Sequence, residues 1–363
     1  MGKELDKPIL NKIPIDGKNK MFRYGMNIIQ GWKNTLEVFN IKENNIGPDK
    51  NINIFGIFDG HSGKEISKYL SLNFIPELLK NNDFIKNNYR KALKETFINI
   101  DLSLRTEEVN NKLIFFSNQF KSEKKKNIKQ LYKKIDKNNN LDENDINNIN
   151  DFMDIFDPKN LENVLISDYV GSSGIIVLII NKRTFVANAG NSHFIAINKN
   201  LSIINNKNII KENFRNSKKI IKARVKTLKG IKYGKEEENE DYLYTKGFGD
   251  FQYKDNKLIN LSEQEISSEP DIYEIPNEDI KFLIIYNYGF FESAKLINDN
   301  NNNDRNFEKN IAYYFIKKLK NEQKNISDII SDYFDEYISK EIKNNQNNNT
   351  NNLSCIIIDF IKN

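Results

Sequence analysis

Short apolar runs separated by long polar stretches set the rhythm of this chain. Residues 52–58 hold Ile54-Phe55-Gly56-Ile57-Phe58 with no polar break and predict a strand buried on both faces. Residues 21–32 (MFRYGMNIIQGW) predict a shorter strand interrupted by glycines. Over 64–80, Ile66, Tyr69, Leu70, Phe74, Leu78 and Leu79 recur close to the helical period, and a second helix over 85–104 places Tyr89, Leu93, Phe97 and Ile100 on one face. Composition then shifts to Lys, Asn, Asp and Glu across 105–160, which reads as a solvated insertion. After Gly171-Ser172-Ser173-Gly174, the runs Ile175–Ile180, Thr184–Ala189 and Phe194–Ile197 are split by Asn-Lys-Arg and Gly-Asn-Ser turns, the pattern of a β-meander. Residues 199–241 are polar and aperiodic. Further strands are predicted near 242–245 and 282–286, amphipathic helices over 307–320 and 325–343, and a closing strand over 353–360. The Asn runs at 300–303 and 347–349 are low-complexity surface loops.

Composition narrows the class. The 363 residues suffice for about two average domains or one large β-rich domain with insertions. Mean hydropathy is −0.65, but the deficit sits in the Asn/Lys-rich segments, so the apolar runs can still build a core. The division expected is a tail over 1–20 and a single domain over 21–363 that carries the 105–160 insertion. Net charge is +5, with 55 basic and 50 acidic residues well mixed, and no basic stripe points to nucleic acid. The one cysteine, Cys355, lies inside an apolar run, so there is no disulfide framework and a reducing, cytoplasmic setting is expected. No apolar stretch reaches the ~18 residues of a membrane span, and the opening MGKELDKPIL is too polar for a signal peptide. Gly2 stands where N-myristoylation would occur, but Asp6 replaces the Ser or Thr that such a signal carries.

Asp59-Gly60-His61-Ser62-Gly63 leaves the first buried strand and opens the 64–80 helix. A carboxylate at such a strand end can hold a divalent cation, with the Gly60 carbonyl as a second hard oxygen; it can equally be a structural turn. His61 has two readings, a structural hydrogen bond or a proton donor, while His193 reads as structural. Asp250 is expected to cap its loop through backbone N–H groups, and Trp32 to lie in the core. In the insertion, Asp136-Lys137-Asn138-Asn139-Asn140 followed by Leu141-Asp142-Glu143-Asn144-Asp145 is similar to a calcium-binding EF-hand loop. The central Gly is missing and the twelfth position is Asn147, so an acidic, Asn-rich turn is the simpler reading. A calcium-responsive scaffold built on 128–150 is the corresponding third function class.

Taken in order, several blocks resemble the metal-dependent PP2C-type (PPM) serine/threonine protein phosphatases. Arg23-Tyr24-Gly25 with Gln30-Gly31-Trp32 is similar to the family's opening block, and Phe55–Gly63 to its FxxxDGHxG signature. Gly171–Ile180 with Ala187-Asn188-Ala189-Gly190-Asn191-Ser192 resembles GSTA…ANxGDSR, and Thr245–Phe251 resembles SRxxGD. Glu269-Pro270-Asp271 matches EPD, Phe282–Glu292 resembles FLILASDGLWD, and Asn351–Asp359 resembles the terminal DNxT strand. The blocks span nearly the whole chain. The resemblance implies an α+β fold, a four-layer α-β-β-α sandwich of two antiparallel sheets with helices on the outer faces. It also implies two Mn²⁺ or Mg²⁺ ions that activate a bridging water against a phosphoprotein, with an arginine on the phosphate and a histidine serving the leaving group.

Carried over residue by residue, the resemblance places Asp59, Gly60 and Glu37 at metal positions, His61 at the histidine and Lys33 at the phosphate-gripping arginine. The remaining metal aspartates are replaced by Val38, Asn191, Tyr288 and Asn351. A register one residue earlier puts Asn287 in the place of Tyr288, equally uncharged. Loss of several anionic oxygens costs a hard dication far more than the ~10–100-fold that outer-sphere changes cost. The expectation is therefore a pseudophosphatase with no metal, or weakly bound Mg²⁺ or Mn²⁺, in which Lys33 pairs with Asp59 in place of the dication. It would act as a regulatory module toward a phosphoprotein or protein kinase. The alternative is a weak Mn²⁺/Mg²⁺-dependent phosphatase using Asp59, Gly60, Glu37 and Asn351.

Overall fold

Runs such as Ile175–Ile180 and Phe282–Tyr286 cannot leave either face in water, so their strands need cover on both sides. The computed structural model describes residues 5, 7–47, 51–119, 165–204, 245–254, 258–297, 307–321, 323–344 and 351–361. Its strands are β1 (Ile9–Lys12), β2 (Ile15–Lys18), β3 (Phe22–Gly31), β4 (Val38–Ile46), β5 (Ile52–His61), β6 (Gly171–Ile180), β7 (Arg183–Ala189), β8 (His193–Ile197), β9 (Phe248–Gly249), β10 (Asp271–Pro276), β11 (Phe282–Tyr286) and β12 (Leu353–Phe360). The helices are α1 (Glu65–Lys80), α2 (Asn82–Ile85), α3 (Tyr89–Ser103), α4 (residues 107–119), α5 (Ile166–Tyr169), α6 (Tyr288–Ile297), α7 (Phe307–Asn321) and α8 (Ile326–Asn344). The 128–150 and 242–244 segments, Gly2 and the two Asn runs lie outside the described residues.

Two antiparallel sheets result. One has the order β1-β3-β12-β11-β8, with β2 also on β3; the other has the order β10-β7-β6-β5-β4, with β9 on β6. Alternation along each strand divides the apolar residues between two layers. Ile175, Val177 and Ile179 of β6 meet Leu283, Ile285, Ile356 and Ile358 between the sheets. Ile176, Leu178 and Ile180 face outward against Phe74, Leu93 and Phe97 of α1 and α3. On the far side, Phe282, Ile284 and Tyr286 pack against Phe315, Ile330 and Tyr333 of α7 and α8. These are the four layers expected, and Trp32 is buried as expected, its indole N–H donating to Glu341 Oε2 at 2.7 Å.

Three expectations change. The tail assigned to 1–20 is structured over its second half: β1 and β2 extend the sheet along β3, and the Asp16 carboxylate accepts from the Ser327 N–H (3.0 Å) and hydroxyl at the start of α8. The insertion starts later than residue 105, because Val109 and Leu113 of α4 are buried against α1 and α3. The meander breaks after its second strand. β6 and β7 form a hairpin, but β8 crosses to the other sheet and pairs with β11.

One buried ion pair fastens a loop to the outer helices. Asp101, near the end of α3, takes the Lys254 ammonium on Oδ2 (2.7 Å) and the Gly249 N–H on Oδ1 (2.8 Å). Both charged side chains are only 3% exposed. Burial pushes the Asp101 carboxyl up, and the Lys254 ammonium opposes that push. Lys254→Met, which strands the carboxylate in the interior, is expected to lower stability by about 3–5 kcal/mol in urea unfolding. A loss below about 1 kcal/mol would mean that the pair is not fastening the loop.

Candidate functional site

Both faces of each sheet being covered, polar side chains gather where strands end. The ends of β3, β5 and β11 and the starts of β4 and β12 lie together. Val38 pairs with Asp59, Asp59 with Ser173, Leu353 with Ile29, and Tyr286 with Cys355. The 32–37 loop joins β3 to β4 across this end, and the Glu37 carbonyl receives the Gly60 N–H (3.1 Å) and the Ser67 hydroxyl (2.6 Å). Glu37, Asp59 and Gly60 are therefore brought together at this strand end.

The side chain that meets Asp59 from the other sheet is Asn287, one residue before the Tyr288 position. Its Nδ2 donates to Asp59 Oδ2 (3.0 Å) and to the Asn352 carbonyl (2.8 Å). Its Oδ1 accepts from the Ser354 N–H (2.9 Å) and the Phe290 N–H (3.2 Å), so the amide is fully engaged and its orientation fixed. Tyr288 is the first residue of α6, its ring 6.3 Å from that of Phe291. Asn352, beside the Asn351 position, accepts the Glu37 N–H (2.8 Å) on Oδ1 and donates from Nδ2 to the Gln30 (2.9 Å) and Thr35 (3.0 Å) carbonyls. Asn287 and Asn352 were not singled out as organising residues, because buried amides carry no sequence signature until their partners are known.

Val38 packs into the apolar layer between the sheets at 1% exposure. Asn191 lies in the β7–β8 turn before Ser192, whose hydroxyl is 3.2 Å from that of Ser173, the cross-strand partner of Asp59. Lys33 differs from expectation: its ammonium meets Glu37 Oε2 at 2.6 Å, while the Thr35 hydroxyl donates to Glu37 Oε1 at 2.5 Å. It reaches Asp59 only through space. Burial raises the Asp59 carboxyl from 3.8 to about 6, opposed by the Lys33 charge, the Asn287 hydrogen bond and His61, and reinforced by Glu37.

His61 does not stand alone. Its Nε2 lies 2.6 Å from Asp250 Oδ2, so Asp250 serves the imidazole and not the loop backbone it was expected to cap. Asp250 sits in the left-handed region (φ 51), next to Gly249 (φ 71). Opposite them on β6, only glycine fits at 171: a Cβ there would fall 2.1 Å from Asp250 Oδ2 and 2.3 Å from His61 Nε2. His193 is structural, stacked between Tyr286 (5.5 Å) and Phe291 (4.4 Å).

Asp59, Glu37 and His61 thus gather at the joined strand ends of a two-sheet sandwich, and comparison with known proteins places the chain. The family model described as Protein phosphatase 2C matches residues 22–115 and 114–295, and the chain belongs to that family. It is 28% identical over 295 residues to "Probable protein phosphatase 2C 5" of Paramecium tetraurelia, covering 81% of this chain and 82% of that one. Against "Probable protein phosphatase 2C 21" of Arabidopsis thaliana it is 24% identical, covering 78% and 76%. Its fold is similar to a phosphatase from Toxoplasma gondii, with a TM-score of 0.57 at 15% identity over 96% of each chain. A serine-threonine phosphatase 2C from the same organism gives 0.54 at 11%, over 97% of this chain and 99% of that one. No helix among the described residues is long and apolar enough to cross a membrane.

The raised Asp59 carboxyl fixes a pH dependence. A group that holds its proton more tightly when folded adds stability at low pH and loses it as pH rises, here between about 4 and 6. Above that window the charged form costs about 1–3 kcal/mol, taking ~1.4 kcal/mol per pH unit. Asp59→Asn is expected to be more stable than wild type by that amount at about pH 7.5 in EDTA and no more stable at about pH 4. Equal stability at both values would show that burial does not govern Asp59.

Proposed function

We propose that this chain is a PP2C-family domain whose metal-dependent phosphatase chemistry is absent or strongly impaired, and that it works as a regulatory module toward a phosphoprotein or a protein kinase. The observation that supports this most directly is the state of the two remaining carboxylates. Asp59 Oδ2 accepts from the Asn287 amide, and Glu37 is held by the Lys33 ammonium and the Thr35 hydroxyl. Two hard dications side by side need several anionic oxygens between them to offset their mutual repulsion. Here Val38, Asn191, Tyr288 and Asn351 bring none, and internal donors already occupy Glu37 and one Asp59 oxygen. That donor set does not fit a two-metal centre. Among the described residues no group of three or more His, Cys, Asp or Glu side chains stands close enough to share an ion.

The alternative, a weak Mn²⁺- or Mg²⁺-dependent serine/threonine phosphatase, draws on the convergence of Asp59, Gly60 and Glu37 through the Gly60 N–H to Glu37 carbonyl bond. Asn351 would complete its reduced shell. One experiment separates the two. Phosphopeptide turnover is followed during Mn²⁺ titration for wild type and Asp59→Ala, with Mn²⁺ binding measured by calorimetry. The expected result is no saturable binding and equal, negligible turnover in both proteins. Saturable Mn²⁺-dependent turnover that disappears in Asp59→Ala would establish the alternative.

Returning carboxylates at Val38→Asp, Tyr288→Asp and Asn351→Asp together is expected to create Mn²⁺ binding where the wild type has none. The melting temperature of the triple variant should then rise with Mn²⁺, as a ligand at 100-fold its Kd adds about 2.7 kcal/mol. A melting temperature unmoved by Mn²⁺ would show that more than charge is missing.

A further inference from the structure

We infer that Asp250 is the positioning residue of His61, and that the Asp101–Lys254 clasp, 2.7 Å across, holds it in place. This rests on the reading of the joined strand ends as the functional site, but on neither view of its activity.

The line of contacts begins at α3 and runs inward to His61. Asp101 is buried and fixed in two directions, by the Gly249 N–H on one oxygen and the Lys254 ammonium on the other. Lys254 also donates to the Gly247 carbonyl (2.8 Å), so one ammonium ties both flanks of the 247–254 loop to one carboxylate. The loop is pinned to the sheet as well. The Asp250 N–H donates to the Val170 carbonyl (3.2 Å), and Phe248 and Gly249 bridge to Ser172 and Gly171 of β6. Between these anchors the backbone takes two consecutive left-handed residues, Gly249 and Asp250, which turns the Asp250 side chain back over Gly171 onto His61.

A carboxylate 2.6 Å from Nε2 accepts a hydrogen bond from that nitrogen, so neutral His61 carries its hydrogen on Nε2 and turns Nδ1 to its other partners. Asp250 is 5% exposed while the His61 side chain is 31% exposed, which makes the carboxylate the fixed member and the imidazole the one presented at the pocket mouth. None of these contacts involves Glu37, Asp59 or a metal. The orientation of His61 therefore does not depend on the carboxylates elsewhere at this strand end.

Nitrogen NMR tests this directly, because the chain has two histidines and the second is an internal control. Spectra are recorded at about pH 9, above the ordinary imidazole value near 6.5. In wild type, His61 is expected to show a protonated Nε2 and a bare Nδ1; the opposite tautomer, or a mixture, overturns the inference without any variant. Asp250→Gly, which suits the left-handed backbone, should collapse the two His61 shifts toward an averaged mixture and leave His193 unmoved. Asp250→Asn, whose amide oxygen can still accept from Nε2, should keep the wild-type tautomer. The double variant Asp101→Asn, Lys254→Met removes both clasp charges and keeps an acceptor for Gly249; His61 should lose its single tautomer there too. An unchanged His61 in Asp250→Gly, or in the double variant with His193 unmoved, would refute the positioning role of that residue or of the clasp. The readout needs no phosphate turnover, so its failure and a failure of the functional reading are separable.

Discussion

Cover on both faces of both sheets is the constraint from which the rest follows. Every residue of β6, β11 and β12 is buried, so these central strands offer no face to solvent along their length. Backbone groups inside are paired by the ladders, and side chains inside must be apolar or fully hydrogen-bonded. Chemistry is left with the strand ends. At one end of the sandwich Arg23 and Lys281 close on Asp359 as a surface tie between β3, β11 and β12. At the other the ends of β3, β5 and β11 bring Glu37, Asp59 and His61 within reach of residues from both sheets.

At that second end, the arithmetic of charge explains the geometry. Glu37 and Asp59 repel each other in a setting that solvates neither well. One ammonium serves them, and it sits on Glu37. Asp59 receives only an amide dipole from Asn287, less than a full charge. The carboxyl consequently stays raised at about 6 even though three neighbours pull it down. Two dications would overcompensate this pair, while one lysine and one amide fall just short of compensating it. The same amides do mechanical work. Asn287 and Asn352 stitch the β11 and β12 ends to Asp59 and Glu37, joining the sheets at this strand end.

The interior of the fold was legible in the sequence because double-sided burial writes an unbroken apolar run. IFGIF, IIVLII, FLIIY and SCIIIDF each became a central strand, and the amphipathic spacings of 64–80, 307–320 and 325–343 became helices within a few residues. The edges were not legible. β4 (VFNIKENNI) and β10 (DIYEIP) border the second sheet, are half-polar and carry the Lys, Glu and Pro that protect an edge, so no strand period survives. The exit of β8 to the other sheet is a matter of chain path, on which spacing is silent. In the site, charge loss at Tyr288 and Asn351 could be read because the chain holds no nearby carboxylate. That Asn287 and Asn352 would carry the contacts depended on geometry across 228 to 315 residues of chain, and that Lys33 would choose Glu37 over Asp59 depended on the path of the short 32–37 loop.

The pocket is braced from two independent directions, and this bears on what it is suited to do. From the first sheet, Asn287 holds the Asp59 carboxylate and Asn352 holds the Glu37 backbone. From the helical layer outside the second sheet, Asp101 and Lys254 fix the loop that carries Asp250, and Gly171 leaves room for the Asp250–His61 contact. The amides of Asn287 and Asn352 are committed to the protein and the Asp250–His61 contact is fixed by its loop, so little of this strand end has to be ordered when something enters. Preorganisation of this kind lowers the entropy cost of association without any new contact. With Lys33 on Glu37 and only an amide on Asp59, this strand end stays one charge short of balance, and that residual charge, held in a fixed place, is what any incoming group meets first.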